Sequence, residues 1–180
     1  ILDLRYNEGG SMDCVQLLGT ILTSADRLGE PMAYLEYNDK NTDKDATILF
    51  GTDREINLNL HSLIAITSGT TMGAPEMLIR SLFLEDVYPI ATVGSSTNGQ
   101  NVATEQFINE EFLWSVNPVV CTVYNSQHDT YGAISPATDL KVSETTIDGS
   151  TNYSEFLPFG TFDKDGKSER LLKIAIGVLD

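Results

Sequence analysis

The sequence predicts an α/β domain built on a mostly parallel central sheet with flanking helices. Two observations predict it. A short apolar segment followed by a glycine turn and a helical pattern occurs at the start of the chain, and the same design returns around Ile64–Met77. Further strand-type segments follow without a linker or low-complexity tract, which argues that strand–helix–strand units share one sheet. The duplication is a weak internal repeat and not a solenoid.

The elements follow in order. Ile1–Arg5 is short and apolar-rich, and Gly9-Gly10 ends it. From Ser11 to about Ala25, residues Val15, Leu17, Leu18, Ile21 and Leu22 fall at mixed helical spacings, giving a broadly apolar helix. Ser11 or Asp13 can cap it. Pro31–Tyr37 alternates toward a strand, and Asn38–Asp45 is a polar loop. Leu63–Thr67 is a short strand with the composition of a buried one. A helix from about Met72 to Asp86 carries Met77, Leu78, Leu82 and Phe83 on one face. Pro75 is tolerated there because the first helical turn needs no internal N–H donors. Pro89–Gly94 is the next strand. Glu105–Ile108, Phe112–Ser115 and Val119–Tyr124 are β-type, and another strand is expected near Leu140–Ser143. A loop rich in Gly, Thr and Asp then leads to an amphipathic helix over about Ser168–Leu179.

A chain of 180 residues is the size of one ordinary domain. Its 41% hydrophobic and 21% charged residues match a globular composition. No run approaches the roughly eighteen apolar residues of a membrane span, and no signal-peptide pattern is present. Ile1 begins inside a core strand pattern. Residues 1–180 are therefore expected to be one domain of a longer protein, with a leader and N-terminal domains upstream.

The formal net charge is −15, and it is unevenly spread. No Lys or Arg lies between Arg80 and Lys141, whereas Glu85, Asp86, Glu105, Glu110, Glu111, Asp129 and Asp139 do. Such a surface repels phosphate backbones, which excludes nucleic acid as an expected partner. It tolerates a basic peptide or a divalent cation, and it also serves simply to keep a protein in solution. The two cysteines, Cys14 and Cys121, form no CxxC and have no neighbouring His. Both read as small buried side chains, although a disulfide would suit an exported protein.

Three turns carry the chemical signal. Ile1-Leu-Asp-Leu-Arg-Tyr-Asn-Glu-Gly-Gly10 supplies the first, and Ile64-Ala-Ile-Thr-Ser-Gly-Thr-Thr-Met-Gly-Ala-Pro-Glu-Met77 the second. Gly94 with Gly99 marks the third, and Ile134-Ser-Pro-Ala-Thr-Asp139 followed by Leu140-Lys-Val142 comes later. In this order they resemble the carboxy-terminal processing (tail-specific) serine peptidases, particularly the form found in Bacteroides-like bacteria. Asp3, Leu4, Arg5, Asn7, Gly9 and Gly10 fit the first motif. Ala74 and Glu76 fit the second, with Gly69 one residue early. Each match is weak alone, because glycine turns after strands are common; their order along most of the chain carries the resemblance.

The resemblance implies a Clp-protease/crotonase-like domain. Acyl transfer needs N–H donors for an oxyanion, a nucleophile beside them and a base within reach. In the family the first turn gives one side of the oxyanion hole, and the second helix start gives the serine and another N–H. The third turn brings a lysine kept neutral by burial. Gly9, Gly10 and Ala74 are thereby assigned to an oxyanion hole. The nucleophile position holds Gly73 and the base position Gln100, while Pro75 replaces a second serine. A slip of a residue or two rescues no base, because no lysine occurs from Asp45 to Leu140.

Ser68, Thr70 and Thr71, on the second turn, are fallback nucleophile candidates, as are Ser95 and Ser96 on the third. These residue types also serve as ordinary turn and cap formers. His61 and His128 read as surface residues, and Asp3 with Arg5 as a structural ion pair. Asp39-Lys-Asn41-Thr-Asp43-Lys-Asp45 and Asp163-Lys-Asp165-Gly166 have the alternation of calcium ligands but lack a closing glutamate. No metal and no cofactor is expected.

Three functions are compatible with these residues. One is a proteolytically inactive homologue that binds extended peptides or protein C-termini along a strand. Another is an active serine peptidase with a relocated nucleophile. The last is a structural module of an exported lipoprotein, its groove filled by side chains such as Met72 and Pro75. The resemblance places all three in the cell envelope, periplasmic or on the outer surface, with no membrane span in the chain.

Overall fold

A computed structural model of the protein describes residues 1–85, 87–142 and 170–179. Strand β1 (Leu2–Asp3), helix α1 (Met12–Leu22), strand β2 (Pro31–Tyr37) and strand β3 (Ala46–Leu49) open the chain. Strand β4 (Leu63–Thr67), helix α2 (Ala74–Leu82) and strand β5 (Ile90–Gly94) follow. Then come β6 (Val102–Thr104), β7 (Phe107–Asn109), β8 (Trp114–Val116), β9 (Val119–Tyr124) and helix α3 (Arg170–Gly177).

The parallel sheet has the order β1-β4-β5, with Leu2 opposite Ala65 and Leu63 opposite Ile90. β4 is buried along its whole length, because helices cover both faces of the sheet. Ile64 and Ile66 pack with Val93 against Leu171 and Ala175 of α3. Ala65 turns to the other side, with Leu4 and with Ile79 of α2. A strand covered on both sides must be a continuous apolar run, as Leu63–Thr67 nearly is.

A second, antiparallel sheet has the order β3-β2-β9-β6. The main core joins Met32, Ala33 and Leu35 of β2 and Val123 of β9 to Val15 and Leu22 of α1 and to Met77, Leu78 and Leu82 of α2. Helix α2 thus touches both sheets, and its residues Met77, Leu78, Ile79 and Leu82 are all buried. Each such side chain stabilises the fold by about 1.5–3 kcal/mol relative to exposure.

The expected helices and strands are present: β2, β4 and β9 have the expected bounds, the helices are shorter, and β7 and β8 are shifted toward the C-terminus. α2 begins at Ala74, where Glu76 and the Gly73 N–H start it, and stops at Leu82 before Phe83 leaves the helical conformation. Ser11 is the cap of α1, accepting from the Cys14 N–H at 3.2 Å. β3 and β6 were not anticipated. The strand expected at Leu140–Ser143 is reduced, among the described residues, to one parallel bridge between Gly94 and Lys141. Gly94 has φ 116°, and a Cβ there would lie 2.3 Å from the Thr67 carbonyl oxygen. Only glycine lets β5 end this close to β4.

Cys14 corrects an expectation: it is exposed on the outer face of α1, while Cys121 is buried, and both are free thiols. Leu17 shares that outer face and is 54% exposed. α1 therefore buries one stripe and not its whole surface.

Tyr88 is completely buried beside the core, and its hydroxyl donates to the Leu22 carbonyl at 2.8 Å. Burial pushes its phenol up to about 12, against the opposing charge of Arg27. The unfolded side chain ionises near about 10. The native state therefore holds this proton more tightly, so its contribution is complete below about pH 10 and is lost as the pH rises from there through about 12. Urea midpoints are expected to be insensitive to Tyr88 near neutrality and to fall in that alkaline window. Tyr88→Phe should flatten the fall, and an unchanged alkaline slope would contradict the assignment.

Candidate functional site

Three chain reversals meet at one end of the parallel sheet. After Leu4, the backbone turns through Tyr6, and the Asn7 side chain accepts the Gly9 N–H at 3.2 Å. The Asn7 carbonyl accepts the Met72 N–H at 3.1 Å, so the first turn is tied to the second. The third turn is tied to the second in the same way, through Asn98 N–H and the Thr71 carbonyl at 3.0 Å.

One buried carboxylate holds the second and third turns together. Glu76 is fully shielded from solvent on the first turn of α2. Its Oε2 accepts the Gly73 N–H at 3.0 Å and the Gln100 N–H at 2.8 Å. Its Oε1 accepts the Gly99 N–H and the Thr97 hydroxyl. Thr97 Oγ1 in turn accepts the Ile134 N–H at 2.8 Å. The charge suits a helix N-terminus, where the macrodipole is positive. Sequence reasoning used Glu76 only as an alignment landmark. The signal that could have found it is a glutamate three residues after the N-cap, half of a capping box.

This framework brings together positions that lie far apart in sequence. A Cβ at Gly73 would stand 3.8 Å from Gln100 Oε1 and 4.0 Å from the Gly9 Cα. Gly10 lies against Ala74, with 3.3 Å between an added Cβ and the Ala74 Cβ. Gly73 itself has φ 69° and ψ −110°, a conformation that side chains other than glycine adopt under strain. The N–H groups of Gly10 and Ala74 have no acceptor among the described residues.

Around these positions lies a cavity of about 350 Å³. Gly9, Gly10, Gly73, Ala74 and Gln100 line one side. Met12, Met77, Val123 and Tyr131 make an apolar wall, and β6 contributes Val102, Ala103 and Thr104. The volume is at the small end for ligand sites, enough for one or two side chains. Its titratable lining residues, among those described, are Glu8 and Tyr131. Burial, and after it the charge of Glu76, pushes the Tyr131 phenol far up. The phenol therefore stays protonated at neutral pH and is no base. Glycine has no reactive atom, and the Gln100 carboxamide neither attacks nor takes a proton. The cavity can bind a carbonyl or carboxylate oxygen at the amides of Gly10 and Ala74, and positions 73 and 100 bring no nucleophile–base pair to it.

The hydroxyls of Ser68, Thr70 and Thr71 lie outside the cavity lining and are engaged in the turn itself, and Ser95 and Ser96 lie outside the lining as well. Ser68 Oγ and Thr70 Oγ1 are 3.0 Å apart, and Thr71 Oγ1 donates to the Leu4 carbonyl at 2.8 Å. Thr71 also receives the Ser68 N–H at 3.0 Å. Ser96 meets Ser135 at 3.0 Å. His128 is 2.8 Å from Glu36 and lies against Tyr34 and Tyr124, with centroids 4.4 and 5.1 Å away. It is not part of the cavity, nor is His61. Arg5 pairs with Asp3 at 2.6 Å.

The Asn38–Asp45 loop uses its oxygens internally. Asp45 accepts the Tyr37 N–H at 2.7 Å, and Asn38 accepts the Asn41 side-chain amide at 2.8 Å. Among the described residues, no three His, Cys, Asp or Glu side chains are grouped to hold a metal. The Asp163–Gly166 string lies outside the described residues, as does the Gly/Thr/Asp-rich loop around it.

No family model matches the sequence, and no curated protein matches it. Solved structures do. A crystal structure from Bacteroides fragilis NCTC 9343, described as an S41 protease, aligns over 99% of the chain at 34% identity with a TM-score of 0.77. One described as a peptidase, from Parabacteroides merdae ATCC 43184, aligns over 98% at 20% identity with a TM-score of 0.61. The photosystem II D1 C-terminal processing protease aligns over 79% at 16% identity with a TM-score of 0.56. The last two likenesses are likenesses of fold. The chain spans 45%, 50% and 34% of these structures, half their length or less. Among the described residues, no helix is long and apolar enough to cross a membrane.

Proposed function

The chain belongs, by its fold and the order of its motifs, to the carboxy-terminal processing (tail-specific) peptidase family, and from that membership we propose that it binds peptides without cleaving them. The fold is the Clp-protease/crotonase-like one. The observation that carries the proposal is the meeting of Gly73 and Gln100 across the cavity, beside amides of Gly10 and Ala74 that have no acceptor among the described residues. Binding needs those donors and the apolar wall; cleavage needs side chains that these positions lack.

The ligand is an extended peptide or an unfolded protein C-terminus. A main-chain carbonyl or terminal carboxylate accepts from the free amides, and an apolar side chain fills the space between Met12, Met77 and Tyr131. The cavity is not plugged: Met72 and Pro75 lie outside its lining, which favours binding over a purely structural role. The turn-bound states of Ser68, Thr70 and Thr71 argue against a relocated nucleophile. A cell-envelope location, periplasmic or on the outer surface, follows from the family resemblance alone and is part of the same proposal.

A fluorescent hexapeptide of small apolar residues with a free C-terminus tests this by polarisation titration. Saturable binding is expected, weakened about tenfold or about 1.4 kcal/mol by Met12→Glu, which sets a carboxylate into the apolar wall. Met12 begins α1, where a glutamate suits the helix dipole, so the fold should persist. A peptide that never binds, or one that binds Met12→Glu equally well, would refute the proposal. A serine-reactive phosphonate is expected to leave the intact mass unchanged; a covalent adduct would revive the relocated nucleophile.

A further inference from the structure

Strands β6 to β9 form one antiparallel ribbon that starts at the cavity and leaves the body of the domain. Val102 is opposite Thr122, and Thr104 is opposite Val119. The Glu105 N–H then bonds the Pro118 carbonyl at 3.3 Å, Phe107 faces Val116, and Asn109 faces Trp114. The root of this ribbon, Val102–Thr104, lines the cavity. β6 is also the edge of the antiparallel sheet, so one side of its backbone is unpaired among the described residues.

The outer half of the ribbon is apolar and, among the described residues, exposed. Ile108 is 65% exposed, Phe112 68% and Leu113 91%, and Phe107, Trp114 and Val116 are exposed as well. Two-stranded ribbons are marginal by themselves in water, and clustered exposed apolar side chains mark interaction surfaces. Its charged residues are all acidic: Glu105, Glu110 and Glu111, within a stretch from 81 to 140 that contains no Lys or Arg.

We propose that this ribbon is a docking rail for an extended polypeptide segment with alternating apolar and basic side chains, which adds as a strand to the free edge of β6 and β7 and runs into the cavity. This rests on the reading that the cavity binds peptides. Strand addition satisfies the unpaired backbone of the edge. Alternation then places apolar side chains on the face that carries Phe107, Val116 and Trp114 and basic ones on the opposite face, with Glu105 and Glu110 flanking β7. A second copy of the chain is the wrong occupant on charge, since it brings the same acidic ribbon and the same net −15.

The test uses the whole chain and two fluorescent peptides. One is a short apolar tetrapeptide with a free C-terminus, which reaches only the cavity. The other extends it N-terminally by ten residues alternating valine and lysine. The long peptide is expected to bind at least about tenfold tighter, from the added strand and ion pairs. Phe112→Ser/Leu113→Ser/Trp114→Ser should remove that advantage and leave the short peptide unaffected. If the triple variant fails to fold, Leu113→Lys alone, at the most exposed position, should still weaken the long peptide.

A long peptide no tighter than a short one that does bind would overturn the rail and leave the cavity reading standing. If neither binds, the cavity reading falls and the rail with it. An advantage that survives alternate N-methylation of the long peptide's backbone would refute strand addition. A sedimentation dimer dissociated by the triple variant would identify the ribbon as a self-interface and overturn the proposal.

Discussion

Glu76→Ala is expected to destabilise the domain by about 3 kcal/mol or more and to abolish peptide binding. The carboxylate receives the Gly73, Gly99 and Gln100 amides and the Thr97 hydroxyl, in a place that water does not reach. Alanine leaves these donors without an acceptor, and each buried orphan costs about 1–3 kcal/mol, partly recovered by relaxation. Glu76→Gln keeps one acceptor oxygen but presents an NH₂ group to N–H donors, so a smaller loss is expected. Denaturant midpoints and the tetrapeptide titration measure the two effects. A loss below about 1 kcal/mol with full binding would mean that Glu76 does not hold the turns together.

Arg27→Met is expected to cost a similar amount, about 2–4 kcal/mol, while leaving peptide affinity nearly unchanged. Arg27 is only 3% exposed. Its guanidinium donates to the Leu82 carbonyl at 2.7 Å and the Ser81 carbonyl at 2.9 Å, closing the C-terminus of α2. It also sits 4.8 Å over the Phe50 ring. Burial pulls its pKa down, opposed by Glu30 among its neighbours. Without it, the last carbonyls of α2 are buried bare, and the negative end of the helix dipole loses its cation. Arg27→Lys should recover only part, because an ammonium cannot fork between two carbonyls. Helix α2 is thus held by a carboxylate at one end and a guanidinium at the other, and only the first end faces the cavity. Loss of binding in Arg27→Met at a temperature where it stays folded would contradict that separation.

What the sequence disclosed follows from where the physics is local. β4 was legible because both its faces are buried, which writes a near-continuous apolar run. β2 and β9 were legible from β-type composition. β3 was not, because Ala46–Leu49 is mostly exposed and is held as a strand by pairing with β2. β6 escaped for the same reason, being fixed by β9. In α1, the apolar count suggested burial all round, yet Cys14 and Leu17 fall on the face turned from Val15 and Leu22.

The site divides similarly. Gly9, Gly10, Gly73, Ala74 and Gln100 were named from motif order, and the structure brings all five to one cavity. The importance of Glu76 was not legible, because three of its partners, Thr97, Gly99 and Gln100, come from a different turn. The bonding of Ser68 and Thr71 to the first turn is equally a tertiary fact, invisible in a string of hydroxyl residues. The ribbon's acidic and apolar composition was visible, whereas its continuity with the cavity wall depends on the register of β6 against β9.

Intact-mass analysis of an unfolded protein substrate, incubated with the full-length protein and separately with its Gly73→Ser/Gln100→Lys variant, decides whether cleavage is absent. Serine at position 73 has room, its Cβ 3.8 Å or more from its neighbours, but the positive φ imposes strain of about 1–3 kcal/mol. The natural protein is predicted to leave the substrate at its full mass while still binding the short peptide. Substrate fragments produced by the natural protein would contradict the loss of cleavage and require a nucleophile other than position 73.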